Sequence, residues 1–186
     1  MAARRLNQII GIGAAALFLM ISIFLIKGPA SALTEISKKG EIRADQETVD
    51  AIVDTFNHAE QALERERLSA VMAVYSEGYQ NRGLRKEETS RIWEDLFNRY
   101  DQLSSRHFFS RIIVDPSGKT ATVTCTGALF GVPTFRKGTG AEPVQIDSWF
   151  EANHYLVLEG GEWRIVGHDP SAKERDLFGS AIHLLF

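Results

Sequence analysis

Apolar residues change rhythm twice along this chain: an unbroken apolar run gives way to helical spacing, and helical spacing to alternation. The run is Ile9 to Ile26, 18 residues without a charge. As a helix it would span roughly 27 Å at about 1.5 Å per residue, close to the hydrocarbon thickness of a bilayer. From Gln46 the apolar positions Val49, Ile52, Val53, Phe56, Ala59 and Leu63 recur at i, i+3, i+4 and i+7, with Asp45 or Thr48 available as N-cap. Glu64–Arg67 reads as a solvated corner. A second short helix carries Leu68, Val71, Met72 and Tyr75, and Gly78, Asn81 and Gly83 break it. Tyr79–Asn81 and Leu84–Lys86 suit a small hairpin. A third helix, about Lys86 to Tyr100, has Ile92, Trp93, Leu96, Phe97 and Tyr100 on one stripe.

Beyond Tyr100 the period becomes two. Arg106–Val114 reads as a strand and Asp115–Gly118 as a turn. In Lys119–Phe130, Thr120, Thr122, Thr124 and Thr126 alternate with Ala121, Val123, Cys125, Gly127 and Leu129, a half-buried strand. Gly131–Glu142 is a Gly/Pro-rich loop. A long strand, Pro143–Leu158, turns at Gly160-Gly161 into a last strand, Glu162–His168. Helices first and antiparallel strands after, with short connections, predict an α+β domain whose sheet is covered by helices on one face.

The flanks of the apolar run admit two readings. Arg4 and Arg5 before it and Ala30-Ser31-Ala32 after it fit a cleaved signal. The length of the run, and Lys27 between it and the small residues, favour a retained single-pass anchor. Basic residues stand on both sides, so the charge rule does not fix orientation. The expectation is a bacterial-type cell membrane, with the domain outside the cytoplasm. The alternative is a secreted or periplasmic domain released after Ala32. Residues 1–32 are then anchor or signal, 33–45 a polar tether, 46–171 the domain and 172–186 an apolar tail.

All 24 acidic residues, but only 18 of the 21 basic ones, lie beyond position 32, which leaves the soluble part near about −6 with histidine neutral. A nucleic-acid partner is therefore not expected. The single cysteine, Cys125, can form no internal disulfide, and its strand pattern makes it a buried, inert thiol. No His/Cys pair has zinc spacing, and no phosphate loop, dinucleotide fingerprint or nucleophile elbow occurs, so neither metal nor cofactor is expected.

Several stretches resemble the nuclear-transport-factor-2-like (SnoaL-like) superfamily. They are "LSAVMAVYSEGY", the short hairpin, "KEETSRIWEDLF", three long strands and the closing "GEWRIVGHDPS". The resemblance covers about Val49 to Ser171. It implies a cone-shaped, strongly curved antiparallel sheet wrapped on the N-terminal helices, with a pocket at the open end. Such members include isomerases, dehydratases, epoxide hydrolases, binding domains and membrane-anchored secretion components. Catalytic members use an Asp–His or Tyr–Asp arrangement, and no pair in this chain is matched to it residue by residue.

Strand parity puts Val144, Ile146, Ser148, Phe150, Ala152, His154, Leu156 and Leu158 on one face. Gln145, Asp147, Trp149, Glu151, Asn153, Tyr155 and Val157 fall on the other, and a bulge would exchange the two faces. His154 is the polar residue of the apolar row and a candidate proton carrier, with Asp147 and His168 as weaker candidates. Tyr75, Tyr79, Trp93, Phe97, Trp149 and Phe150 are the candidate pocket aromatics, although such stripes usually serve as plain core. Leu177 to Phe186 is apolar enough to dock on its own domain, or to form a homodimer or envelope-partner surface. The leading expectation is a membrane-anchored exported binding or scaffold domain for an envelope partner or small apolar ligand. The alternative is a small acid–base enzyme of isomerase or dehydratase type.

Overall fold

The computed structural model describes residues 34–168. The run Ile9–Ile26, the Ala30–Ala32 site and the tail Leu177–Phe186 lie outside the described residues. The chain divides into two units after Ala30, and every element described belongs to the second, Ser31–Phe186. Among the described residues no helix is long and apolar enough to cross a membrane.

The elements run β1 (Glu35–Arg43), α1 (Gln46–Glu64), α2 (Leu68–Ala73), β2 (Gln80–Asn81), β3 (Leu84–Arg85), α3 (Lys86–Arg99), β4 (Tyr100–Val114), β5 (Thr120–Pro133), β6 (Val144–Glu159) and β7 (Glu162–Ile165). Asp45 caps α1 by accepting a hydrogen bond from the Thr48 amide at 2.8 Å. The stripe Val49, Ile52, Phe56, Ala59 and Leu63 is buried, as its spacing predicts. On α3, Trp93 is wholly buried, and its indole N–H donates to the Tyr75 hydroxyl at 2.8 Å. β2 and β3 form the expected small hairpin.

Five strands make one sheet in the order β1-β4-β5-β6-β7. Its strands are antiparallel except for β1, which pairs parallel with β4, so the sheet is mixed and not the antiparallel one expected. The polar stretch read as a tether thus carries the first strand. It escaped the hydrophobic pattern because β1 is an edge strand, mostly exposed and held by backbone hydrogen bonds, where charged side chains are tolerated. All three helices lie between β1 and β4, long enough a crossover for parallel pairing. β4 also begins six residues before Arg106, and the last strand ends at Ile165, ahead of His168.

Irregularities in β1 (Ile36 to Glu41), β4 (Phe109 to Arg111) and β6 (Trp149 to Ala152) fall at neighbouring levels of the sheet. Each bulge adds local twist, and a line of them across adjacent strands curves the sheet. In β6 three steps, from Trp149 to Ala152, oppose two in β5, from Gly127 to Cys125, and Glu151 takes φ 48°. That extra residue exchanges the faces. Trp149 turns inward and is buried, while Phe150 turns outward and is 79% exposed. Beyond the bulge the predicted parity resumes, with Ala152, His154 and Leu156 wholly buried. The inward row of β4 is Leu103, Ser105, His107 and Phe109, and that of β5 is Ala121, Val123, Cys125 and Leu129.

Candidate functional site

Where α1 crosses β4, the core contains a carboxylic acid. Glu60 lies on the apolar face of α1 between Phe56 and Leu63, with no exposed surface. Its Oε1 is 3.7 Å from Nε2 of His107, which points inward from β4, and neither carboxyl oxygen has a hydrogen-bond partner. Burial, with a smaller contribution from the charge of Glu64, pushes the Glu60 carboxyl from its ordinary 4.5 up to about 8. At neutral pH it is therefore mostly a neutral acid, able to give up a proton within the range where histidine titrates.

His107 is held from several sides. The Phe56 ring meets it edge-on at 5.1 Å between centroids, and Trp149 lies at 5.2 Å. Its Nδ1 is 3.6 Å from Cys125 Sγ, and the Trp149 indole N–H donates to the same sulfur at 3.4 Å. Burial pushes the Cys125 thiol up to about 11, so it contributes a neutral polar contact and no thiolate near pH 7. His154 comes in from β6, its ring 6.4 Å from that of His107 and 5.7 Å from that of Phe56. An acid from a helix and two imidazoles from two strands thus share one aromatic-walled interior. A neutral acid against an imidazole can pass a proton in either direction, the elementary act of general acid–base chemistry.

The residues singled out by sequence fare differently. His154 is in this cluster. Asp147 lies seven residues back along β6, roughly 20 Å of extended chain, half-buried, its carboxylate accepting from the Ser148 amide. His168 Nδ1 stands 3.2 Å from the carbonyls of Gln80 and Val166, tying the strand end to the hairpin. Of the aromatics, Tyr75, Tyr79 and Trp93 form one buried group, with the two tyrosine rings at 4.9 Å, and Phe97 is partly buried beside Trp93. Trp149 joins the histidines instead, and Phe150 faces outward. The six do not share one wall.

Glu60 and His107 are the residues that sequence reasoning passed over. Both signals were present. Glu60 is the charged position inside the apolar stripe of α1, and His107 shares strand parity with Phe109. A separate groove of about 460 Å³ lies between α1, α2 and the β6–β7 turn, lined by Asp54, His58, Arg65 and Trp163 among others. It includes none of Glu60, His107 or His154. Among the described residues no group of three or more His, Cys, Asp or Glu is arranged to hold a metal ion.

No protein-family profile matches the chain, and no curated protein is similar to it in sequence. Solved structures do match in fold. A conserved protein from Planctomyces limnophilus aligns over 66% of this chain and 93% of its own, at 14% identity and a TM-score of 0.54. Aln2 from a Streptomyces species aligns over 66% and 88%, at 15% identity and 0.53. A candidate aromatic ring hydroxylase from Novosphingobium aromaticivorans aligns over 67% and 87%, at 15% identity and 0.51. Likeness at these identities concerns fold alone: the curved mixed sheet with three helices is consistent with the nuclear-transport-factor-2-like fold that the sequence resembles.

Proposed function

We propose that this domain is a small acid–base catalyst of isomerase or dehydratase type, with Glu60 and His107 handling the proton and His154 facing them across the interior. One observation carries the reading: a wholly buried carboxyl without a hydrogen bond, 3.7 Å from an imidazole nitrogen. Such an arrangement costs stability, and buried titratable groups of this kind concentrate at functional sites. The expectation of a binding or scaffold domain rests on the apolar run, the polar stretch after it and the lack of a visible constellation; Glu60, His107 and His154 bear on the last of these and favour the acid–base alternative.

The reading is tested with the full chain in D₂O, offered a panel of cyclic ketones and β-hydroxy ketones. Solvent deuterium should enter, or water should leave, at a rate that Glu60→Gln and His107→Asn each lower by about 10²-fold or more. In parallel, ¹³C NMR should find the Glu60 carboxyl titrating near 8. A silent panel together with a titration near the ordinary 4.5 would sink the proposal.

The place of action is proposed from Ile9–Ile26 alone: the run holds the domain at a membrane, outside the cytoplasm. The tail Leu177–Phe186 is proposed as a surface for a second copy or an envelope partner, from its apolar composition.

A further inference from the structure

Polar groups from three strands meet at the Cys125 sulfur, and a thiol has a single hydrogen to give them. The Thr126 carbonyl oxygen, at 3.3 Å, can only accept, and the Trp149 indole N–H, at 3.4 Å, can only donate. His107 Nδ1, at 3.6 Å, donates in one tautomer of the imidazole and accepts in the other. With the thiol hydrogen on the carbonyl, the nearer acceptor, only sulfur lone pairs face His107. Nδ1 then carries the ring's proton and Nε2 is bare. Nε2 is the nitrogen 3.7 Å from Glu60 Oε1. The helix side points the same way. Burial keeps Glu60 a neutral acid at pH 7, so it brings a proton and needs an acceptor. A bare Nε2 is one. An Nε2–H would instead occupy a carboxyl oxygen and leave the acid proton without an acceptor among the described residues. The Trp149 ring, 5.2 Å from that of His107, is admitted by Gly127 across the strands, where a Cβ would strike it.

We infer that His107 is held as its Nδ1–H tautomer, with Cys125 and Trp149 as positioning residues that aim the bare Nε2 at the Glu60 acid. Its use in catalysis rests on the acid–base reading of Glu60 and His107, to which it adds a direction for the proton. The O–H bond of Glu60 breaks and an Nε2–H bond forms, leaving a carboxylate against an imidazolium whose Nδ1–H stays on the sulfur. Cys125 takes no part in the transfer, because burial holds its thiol neutral up to about 11. Trp149 acts through the sulfur, by filling one of its lone pairs, and through the ring that flanks the imidazole. The 3.7 Å gap to Glu60 exceeds a formed hydrogen bond, and contacts of this kind shorten when substrate binds.

The test records ¹⁵N NMR spectra of the histidine rings in the full chain at pH 7, where a protonated and a bare ring nitrogen give distinct signals. His107→Asn identifies those of His107. In the native protein Nδ1 should carry the proton and Nε2 should be bare. Cys125→Ser, whose hydroxyl can take the same neighbours, should keep that tautomer. Cys125→Val, which has no polar side-chain atom, should raise the Nε2–H fraction at least about fivefold, the effect of one ordinary hydrogen bond. Trp149→Phe, which keeps a ring but loses the N–H, should raise it as well. Cys125→Ala replaces Cys125→Val if that variant does not fold. The inference is overturned by a native Nε2–H tautomer, by a His107 protonated on both nitrogens, by a tautomer unchanged in Cys125→Val or Trp149→Phe, or by its loss in Cys125→Ser. If Glu60 titrates near 8 and the ketone panel responds while His107 carries its proton on Nε2, only this inference falls. If the Nδ1–H tautomer depends on Cys125 while the panel is silent and Glu60 titrates near 4.5, only the acid–base reading falls.

Discussion

Glu60 shows how a single residue couples site chemistry to stability. In the unfolded chain its carboxyl ionises near 4.5, and in the fold it holds its proton up to about 8. Between those values the native state binds more protons than the unfolded state, so stability must fall as pH rises from about 4.5 to about 8. Below 4.5 both states are protonated and the residue adds no pH dependence. The full swing is about 4–5 kcal/mol, at roughly 1.4 kcal/mol per pH unit. Glu60→Gln keeps size and polarity but cannot ionise, so its stability relative to the native protein should improve by about that amount from pH 5 to pH 9. Urea unfolding of both proteins at pH 5, 7 and 9 checks this. A constant difference across the range would mean that Glu60 is ionised in the fold. The residue was legible in principle, since it is the one charged member of the buried face of α1, whose other members are apolar apart from Thr55. It was missed because a helical pattern is read by its apolar positions, and a carboxylate among them passes as noise. His154 was found because alternation in β6 makes a polar residue in an apolar row conspicuous.

At the scale of elements, what the sequence concealed has a common physical cause. Helices α1 and α3 and the body of β5 were readable because each buries one face and exposes the other, which fixes a period. β1 has no such period, since it is an edge strand secured by its backbone, and its parallel partner lies beyond three helices. The bulge in β6 is equally silent: Glu151 at φ 48° carries none of the glycine or asparagine that would announce it. Yet this one extra residue decides that Trp149 and not Phe150 reaches the histidines. The exchange leaves its own trace at Gly127, which faces Trp149 across the strands. A Cβ built on Gly127 would collide with the Arg106 carbonyl oxygen and with the Trp149 ring. Gly127→Ala should therefore cost about 2–3 kcal/mol and shift the Trp149 fluorescence, because overpacking against backbone and a fixed ring finds little relief. Phe150→Ser, on the outer face, should stay within about 0.5 kcal/mol of the parent. Equal costs for the two changes would restore the unbulged parity and remove Trp149 from the site.

On the scale of the whole molecule, the apolar run and the folded domain answer different questions, and the boundary between them can be tested. The first strand begins at Glu35, so most of the polar stretch expected as a tether over residues 33–45 belongs to the sheet. A chain starting at Leu33 retains every described element, whereas one starting at Gln46 loses β1 and leaves the edge of β4 unpaired. The first truncation should unfold cooperatively with the stability of the full chain's domain, and the second should be weaker by several kcal/mol or aggregate, both readable by urea unfolding and light scattering. If the two behave alike, β1 adds nothing to the sheet. The same boundary separates the two fates of the N-terminal segment. Cleavage after Ala32 would leave β1 whole and release the domain, giving a mature chain that begins at Leu33 and stays in the supernatant after a carbonate wash. Retention would keep the original amino end and sediment the protein with membranes. Lys27 lies between the apolar run and the small residues, and the run exceeds the roughly 7–15 residues usual for the centre of a signal. Retention is the expected outcome, and a mature start at Leu33 in the soluble fraction would refute it.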